Sequence, residues 1–291
     1  MPTLSRRLSA SKKPQGYSLM ELLEYNIGNG ARAFSTMRGG GSGNYGGFNI
    51  THYCGDEPSH VAACRKELCC VLGITDTNLV LPRQTHSDKV ACIDAALMQL
   101  PPQEREAALH GIDAVVTALP GVCIGVSTAD CIPILLYDAQ RRVAAAIHAG
   151  WRGTVARIVT GCIEKMMTEY GCNPADITAV IAPGISIEAF EVGDEVYREF
   201  MDAGFAMEGI AARYPAADGG EKWHIDLWEA NRQLLLEAGV PDGNISVAGV
   251  CTYTSHDKFF SARRLGIQSG RIFNGIIIES ENGKVKTGSC G

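Results

Sequence analysis

Two apolar runs, Cys131–Tyr137 and Val143–His148, joined by the polar stretch Asp138-Ala-Gln-Arg-Arg142, constrain the fold of this chain more than any other feature. Each is of strand length, and the short polar link between them predicts a β-hairpin. With Ala139 and Gln140 as the turn, Asp138 faces Arg141, and the register that follows sets Cys131 opposite His148. Directly opposed side chains have Cβ atoms only ~4.5–5.5 Å apart, close enough to share one metal ion. Pro133 has no N–H to give to a ladder, so it sets this strand at an edge or a bulge.

The hairpin exits through Ala149-Gly-Trp-Arg-Gly153 into a predicted helix from Thr154 to Tyr170, closed by Gly171. Val155, Ile158, Val159, Cys162, Ile163, Met166 and Met167 recur along it at helical spacing, a core-packing stripe rather than a cofactor box. A second helix is predicted over Pro58 to Leu72, with proline in its first turn and Gly73 at its end. Val192, Val196 and Phe200 define a third, and Asp226 caps a fourth running through Leu227, Leu234 and Leu235 to Gly239. Short β-rich runs alternate with these helices: Leu79–Leu81, Val90–Ile93, Ala114–Thr117, Val122–Val126, Val180–Ala182, Val247–Val250 and Ile276–Ile278. Pro120-Gly121 is a turn between two of them, Ser18 to Tyr25 reads as a short amphipathic segment, and Pro215 to Lys222 as a surface loop. No linker, charge block or internal repeat divides the chain. The expected fold is α+β (mixed α/β): one catalytic domain over 21–291, mixed β-sheets packed with outer helices, after a disordered extension over 1–20.

Composition narrows the function classes. At 46% hydrophobic and 20% charged, the chain can build an ordinary core. No apolar run approaches the ~20 residues that span a bilayer. A formal charge of -6 argues against non-specific nucleic-acid binding, which needs a basic face. The eleven cysteines are odd in number and form no repeated framework, so most read as buried free thiols in a reducing, cytoplasmic setting. Residues 1–16 carry Arg6, Arg7, Lys12 and Lys13 and no acid, which loosely resembles a transit peptide; a disordered tail is the preferred reading.

His52, His60, His110, His224 and His256 have nothing nearby that demands a chemical role. His86, in Gln84-Thr85-His86-Ser87-Asp88, and His148 differ, because both sit at strand ends where side chains converge on a cleft. Together with Cys131 they make a Cys/His2 set, and a catalytic zinc keeps three such ligands and an open fourth position. No Cys-x-x-Cys or His-Glu-x-x-His pairing is present, so spacing alone leaves structural roles open. Asp130 is either a partner that orients a ligand histidine or a strand-start cap. Arg152, in the Gly-Trp-Arg-Gly turn, and Arg263 and Arg264, after the aromatic pair Phe259-Phe260, are candidate anion clamps beside a stacking surface. Arg38, in the glycine-rich 37–47 stretch, and Arg65, on the first helix, are further candidates, with exposed ion pairs as the plainer reading of each.

Taken together, the motifs resemble one family. Phe34-Ser35-Thr36-Met37-Arg38-Gly39-Gly40 is similar to its N-terminal signature with one residue inserted, and Asn49-Ile50 and Gly55-Asp56 continue it. Gln84-Thr85-His86-Ser87, Thr128-Ala129-Asp130-Cys131-Ile132-Pro133 and His148-Ala149-Gly150-Trp151-Arg152-Gly153-Thr154 follow in order. Ile181-Ala182-Pro183-Gly184-Ile185, Phe190-Glu191-Val192-Gly193, Cys251-Thr252, Phe259-Phe260-Ser261-Ala262-Arg263-Arg264 and Gly270-Arg271 complete the series. These motifs resemble the YfiH/YlmD family, catalogued both as laccase-like polyphenol oxidoreductases and as purine nucleoside phosphorylases. Departures are Ala182, Ile185 and Cys64-Arg65, where asparagine-arginine is usual.

The resemblance implies one zinc ion held by His86, Cys131 and His148, with Asp130 beside them in the catalytic set. It implies phosphorolysis of adenosine, inosine, guanosine and methylthioadenosine, with adenosine deamination as a side activity. Arg38, Asn49, Arg65, Gln84, Arg152, Glu191, Phe260, Arg263 and Arg264 are the substrate-binding candidates, with Arg65 first and Arg264 second for phosphate. Purine nucleosides and phosphate are then the partners, and no nucleic acid, membrane or obligate protein partner is implied. Two competing readings stand beside this one. A cysteine hydrolase would use Cys131 as nucleophile and His148 as base, with peptidoglycan-precursor editing as one setting for it. A copper polyphenol oxidase needs many paired histidines, and seven scattered ones do not supply a trinuclear cluster.

Overall fold

The computed structural model describes residues 20–216 and 219–280; most of the N-terminal extension, with its basic residues, lies outside them. The first stretch of the chain forms β1 (Leu22–Tyr25), β2 (Ala31–Thr36), α1 (Pro58–Leu72), β3 (Leu79–Val80), β4 (Val90–Cys92), α2 (Ala95–Gln99), α3 (Pro102–Ala108) and β5 (Ala114–Thr117). Then come β6 (Cys123–Thr128), β7 (Ile132–Asp138), β8 (Val143–Ala149), α4 (Trp151–Val155), α5 (Ile158–Tyr170) and β9 (Ile177–Ile181). The last stretch runs through β10 (Glu191–Val192), α6 (Asp194–Asp202), α7 (Met207–Ile210), β11 (Ala211–Pro215), β12 (Glu221–Ile225), α8 (Leu227–Glu237), β13 (Ile245–Val247), α9 (Ala262–Leu265) and β14 (Ile272–Ile278).

These strands make three sheets, ordered β1-β2-β14-β6-β3, β13-β9-β7-β8-β5-β4 and β10-β12-β11. Parallel pairs (β3/β6, β4/β5, β9/β13) sit among antiparallel ones, so the fold is mixed α/β, as expected. The β7–β8 hairpin lies at the centre of the six-stranded sheet. Alternate residues of β7 explain why that segment is apolar throughout. Ile134 and Leu136 pack with Val159, Ile163 and Met166 of α5. Leu135 and Tyr137 point the other way, toward Ile124, Val126 and Ile276 of the five-stranded sheet. A strand covered on both faces has no polar period to show.

Several expectations are corrected here. Pro133 marks neither an edge nor a bulge: β7 is flanked by β9 and β8, and paired positions with β9 begin only at Ile134, so the missing N–H leaves no gap. The hairpin turn has four residues rather than two. Asp138 pairs with Val143, its Oδ1 accepts the N–H groups of Gln140 and Arg141 at 2.9 Å each, and Arg142 adopts a left-handed φ of 53°. His148 therefore pairs with Pro133, and Cys131 lies just beyond the last pair, Ile132–Ala149. The predicted helix from Thr154 is interrupted at Arg157 (φ 59°), which separates α4 from α5. Val247–Val250 is strand only to Val247, and of the expected loop over 215–222 the ends, Pro215 and Glu221–Lys222, belong to the paired strands β11 and β12, while 217 and 218 lie outside the described residues. The amphipathic segment becomes strand β1.

The bounds of α1 are those expected, with Gly73 in a left-handed cap (φ 67°). Cys64, Cys69, Cys123, Cys162 and Cys172 are buried free thiols. Among the described residues no helix is long and apolar enough to cross a membrane.

Candidate metal centre

His86 stands on a loop held at both ends. Arg83 exchanges backbone hydrogen bonds with Leu109 and Gly111 (3.1 and 2.8 Å). Gln84 donates to the Ser127 carbonyl and accepts its N–H, both at 2.8 Å, which fixes the loop to β6. His86 itself has a φ of 63°, a left-handed conformation rare for a residue with a side chain. This twist turns three successive N–H groups, of Thr85, His86 and Ser87, onto one carboxylate at 3.1, 2.9 and 2.8 Å. Consecutive amides curled in this way form an anion-binding nest.

The carboxylate belongs to Asp113, which is fully buried just ahead of β5. Ser87 Oγ donates to it at 2.8 Å, and His148 Nδ1 meets its Oδ1 at 2.7 Å. The Asp113 carbonyl also accepts the His148 N–H at 2.8 Å. Burial alone would raise the Asp113 carboxyl; the bond and charge of His148 and the N–H groups of Ser87 and Thr85 outweigh it and bring it down to about 2. With Nδ1 so engaged, His148 offers Nε2 on its other side.

Cys131 enters directly ahead of β7, after Asp130 at a φ of 91°. Its Sγ lies 3.7 Å from His86 Nε2, and the His86 and His148 rings stand 4.9 Å apart at 68°. The ligand atoms of His86, Cys131 and His148 all fall within 4.8 Å of one another, so this group can hold a metal ion. His148 is buried, Cys131 half-buried and His86 exposed, which leaves one side open. Burial works against charge on Cys131, yet His148 and then His86 pull its thiol down to about 6, toward the thiolate that binds metals. Gly150 closes the floor: a Cβ there would come within 3.0 Å of both Cys131 Sγ and His86 Cδ2. Among the described residues no second group of three such donors exists, so they contain no frame for a multinuclear copper cluster.

The family described as "Multi-copper polyphenol oxidoreductase laccase" matches residues 31–279. The chain belongs to this family. Its relatives include a protein named purine nucleoside phosphorylase from Bacteroides thetaiotaomicron, 48% identical over 84% of this chain and 90% of that one. A protein named adenosine deaminase RL5, from an unknown prokaryotic organism, is also 48% identical, over 85% of this chain and 94% of its own length. The solved structure of YfiH from Bacillus licheniformis superposes with a TM-score of 0.80 at 28% identity, covering 90% of this chain and 97% of that one. YlmD from Geobacillus stearothermophilus gives 0.80 at 27%, covering 92% and 98%. The resemblance read from the motifs is thus borne out.

Within this laccase-like member, the remaining candidates fall into distinct places. Asp130 does not orient a ligand histidine: its carboxylate accepts Thr252 Oγ1 and the Arg263 N–H, each at 2.7 Å, and Asp113 takes the orienting position instead. The sequence reading missed Asp113, whose signal was an isolated acid opening the apolar run Ala114–Thr117. Arg38 is buried and donates to the carbonyls of Gly43, Gly46 and His256, so it braces the glycine-rich loop and is no free anion clamp. Asn49 is a buried hub bonded to Asp56, Thr51 and Arg271. Arg65 pairs with Asp76 at 2.8 Å in a surface depression shared with Ala62, Lys66 and Ile74, none of which belongs to the cluster. Phe259 and Phe260 are packed inside, with Phe260 directly beneath Gly270, so they present no stacking surface. Arg152 is exposed with its guanidinium 4.1 Å over the Trp151 ring. Arg264 lies over Tyr253, and Arg263 reaches over Phe190 to the Glu191 carbonyl.

Proposed function

We propose that this chain is a zinc-dependent purine nucleoside phosphorylase acting on adenosine, inosine, guanosine and methylthioadenosine, with adenosine deamination as a side activity. The observation that carries the reading is the open-sided His86, Cys131 and His148 set, whose two histidines are oriented by one buried carboxylate. Zinc suits the donors: bonds of ~2.3 Å to sulfur and ~2.0–2.1 Å to nitrogen put tetrahedral ligands roughly 3.5 Å apart, close to the 3.7 Å between Cys131 and His86. When bound, zinc would supply a Lewis acid and lower the pKa of a water in the open position. His86, His148 and the Cys131 thiolate would hold the ion through ring nitrogen and sulfur, and the bond from His148 Nδ1 to Asp113 keeps Nε2 turned to the group. In phosphorolysis a phosphate oxygen forms a bond to ribose C1′ as the bond from C1′ to the purine nitrogen breaks. The pair from that bond leaves with the base, which takes up a proton. The names carried by the relatives at 48% identity support the same class of substrate. We place the activity in a single domain over 21–291, in the cytoplasm.

One observation favours a second reading. Cys131, His148 and Asp113 also line up as nucleophile, base and orienting carboxylate, the pattern of a cysteine hydrolase. A single experiment separates the two. Protein is incubated with adenosine, with and without phosphate, before and after chelation, and products are identified by mass. Adenine and ribose 1-phosphate formed only with phosphate, and lost on chelation or in Cys131→Ala, are the expected result. Turnover that survives chelation and is lost when iodoacetamide labels Cys131 would replace this reading with the cysteine one, and no turnover of any nucleoside by zinc-loaded protein would end it.

A further inference from the structure

Cys70 stands apart from the other cysteines. Ten of the eleven fall among the described residues; nine of these are free thiols, and Cys70 is disulfide-bonded. The one cysteine left in the sequence is Cys290, in the C-terminal stretch 281–291. Cys70 lies half-buried near the end of α1, in a depression of about 400 Å³ shared with Ala62, Arg65, Lys66, Cys69, Ile74 and Asp76. Positions 62, 65, 66, 69 and 70 recur at helical spacing, so the depression runs along one face of α1.

The end of β14 lies close to that face. The Gly121 N–H donates to the Ile278 carbonyl at 2.9 Å, and the Gly121 carbonyl accepts from Asn78 Nδ2 at 3.3 Å. Asn78 closes the short turn Asp76–Asn78, whose first residue pairs with Arg65 at 2.8 Å. From Arg65 to Cys70 the helix rises only about 7.5 Å. Ten residues lead from Ser280 to Cys290, and an extended chain of that length spans up to about 33–36 Å. The C-terminal stretch is therefore long enough to bring Cys290 to Cys70.

We propose that Cys290 is the partner of Cys70, and that their disulfide ties residues 281–291 across the α1 depression as a reversible, redox-dependent clasp. Disulfides of intracellular proteins are usually transient or redox-sensing. Glutathione disulfide is a sufficient oxidant. The Cys70 thiolate attacks one of its sulfurs and releases a first glutathione thiolate. The Cys290 thiolate then attacks the Cys70 sulfur of the mixed disulfide and releases a second. Two protein thiols are oxidised, one glutathione disulfide is reduced to two glutathiones, and the two protons pass to the released thiolates. Cys69, next in the chain, is poorly suited to this chemistry. It is 5% exposed, and burial pushes its thiol up to about 11, away from the thiolate that reacts. Closing a long loop restricts the unfolded chain, so the oxidised protein is the more stable form.

Peptide mapping tests this. The whole chain is incubated with glutathione disulfide or with dithiothreitol, alkylated, cut with trypsin without further reduction, and mapped by mass. A linked pair joining 67–83 to 287–291 is expected after oxidation and not after dithiothreitol. Cys290→Ser and Cys70→Ser should each abolish it, whereas Cys69→Ser should keep it. Oxidised wild type should also melt at a higher temperature than reduced wild type, and Cys290→Ser should remove the difference. Separate, alkylated 67–83 and 287–291 peptides after oxidation would overturn the proposal. So would a link that survives Cys70→Ser, or one found only in covalent dimers.

Discussion

One carboxylate, that of Asp113, receives His148 Nδ1 at 2.7 Å and the backbone N–H of His86 at 2.9 Å, so both histidines of the metal set take their orientation from a single buried residue. Oδ2 meanwhile holds Thr85 and Ser87, so all of its strong acceptor sites are in use. The two protein segments that bring His86 and His148 together have no other shared side-chain anchor of this kind among the described residues.

Asp113→Asn is the direct test. An amide keeps the shape but turns one acceptor into a donor, which then faces an N–H and leaves it unsatisfied. Outer partners of metal-binding histidines typically contribute 10–100-fold in affinity. We expect the zinc dissociation constant to rise by about that factor, read by competition with a chromophoric chelator. An unchanged constant would show that the His86 loop and His148 hold their places without Asp113.

Two glycines should respond in opposite directions. At Gly150 a methyl group meets Cys131 Sγ and His86 Cδ2 at 3.0 Å each, so Gly150→Ala pushes the donors apart and should abolish stoichiometric zinc binding. At Gly161, inside α5, a Cβ meets nothing within 4 Å. Gly161→Ala should therefore stabilise the protein by about 0.5–1 kcal/mol through helix propensity alone, leaving zinc content intact. Thermal melts and metal analysis on both variants decide the matter. Equal zinc content in the two would remove Gly150 from the site.

Phe260 is expected to matter for stability and not for substrate affinity. Its ring is fully buried under Gly270, with the Arg38 guanidinium 5.2 Å from its centre. Phe260→Ala should cost about 3–5 kcal/mol in denaturant unfolding. Phe260→Leu, the milder variant, should cost less and leave KM for the nucleoside unchanged. A raised KM in the leucine variant at full zinc occupancy would restore a contact between this ring and the substrate.

The contrast between Phe260 and His148 shows what could be read from residues alone. The strand pair carrying Cys131 and His148 was legible because apolar runs of strand length flank a short polar link. The helix over Pro58–Leu72 was legible because proline and glycine mark its ends. The register slipped because the Asp138 side chain supports a four-residue turn as readily as a tighter one, and nothing local distinguishes them. Phe259-Phe260 beside Arg263-Arg264 looks like an exposed recognition patch, and only the tertiary packing under Gly270 shows otherwise. Asp113 was out of reach for a similar reason. Its partners come from 85–87 and from position 148, so its role exists only once those segments meet.

Arg65 carries the last prediction, and it is a negative one. Family position made it the first choice for phosphate, yet its Nε is 2.8 Å from an Asp76 carboxylate, and its depression shares no residue with the metal set. The Asp76 carboxylate takes Nε and repels an anion that approaches the remaining guanidinium N–H groups. Asp76 is 65% exposed, so the pair itself contributes only about 0–1 kcal/mol. Arg65→Gln should thus cost no more than about 1 kcal/mol of stability, and leave KM for phosphate within twofold of wild type. Steady-state kinetics with phosphate varied at saturating nucleoside would measure it. A tenfold rise in that KM, with the nucleoside KM unchanged, would return Arg65 to the substrate site and require the α1 face to lie against the metal centre during turnover.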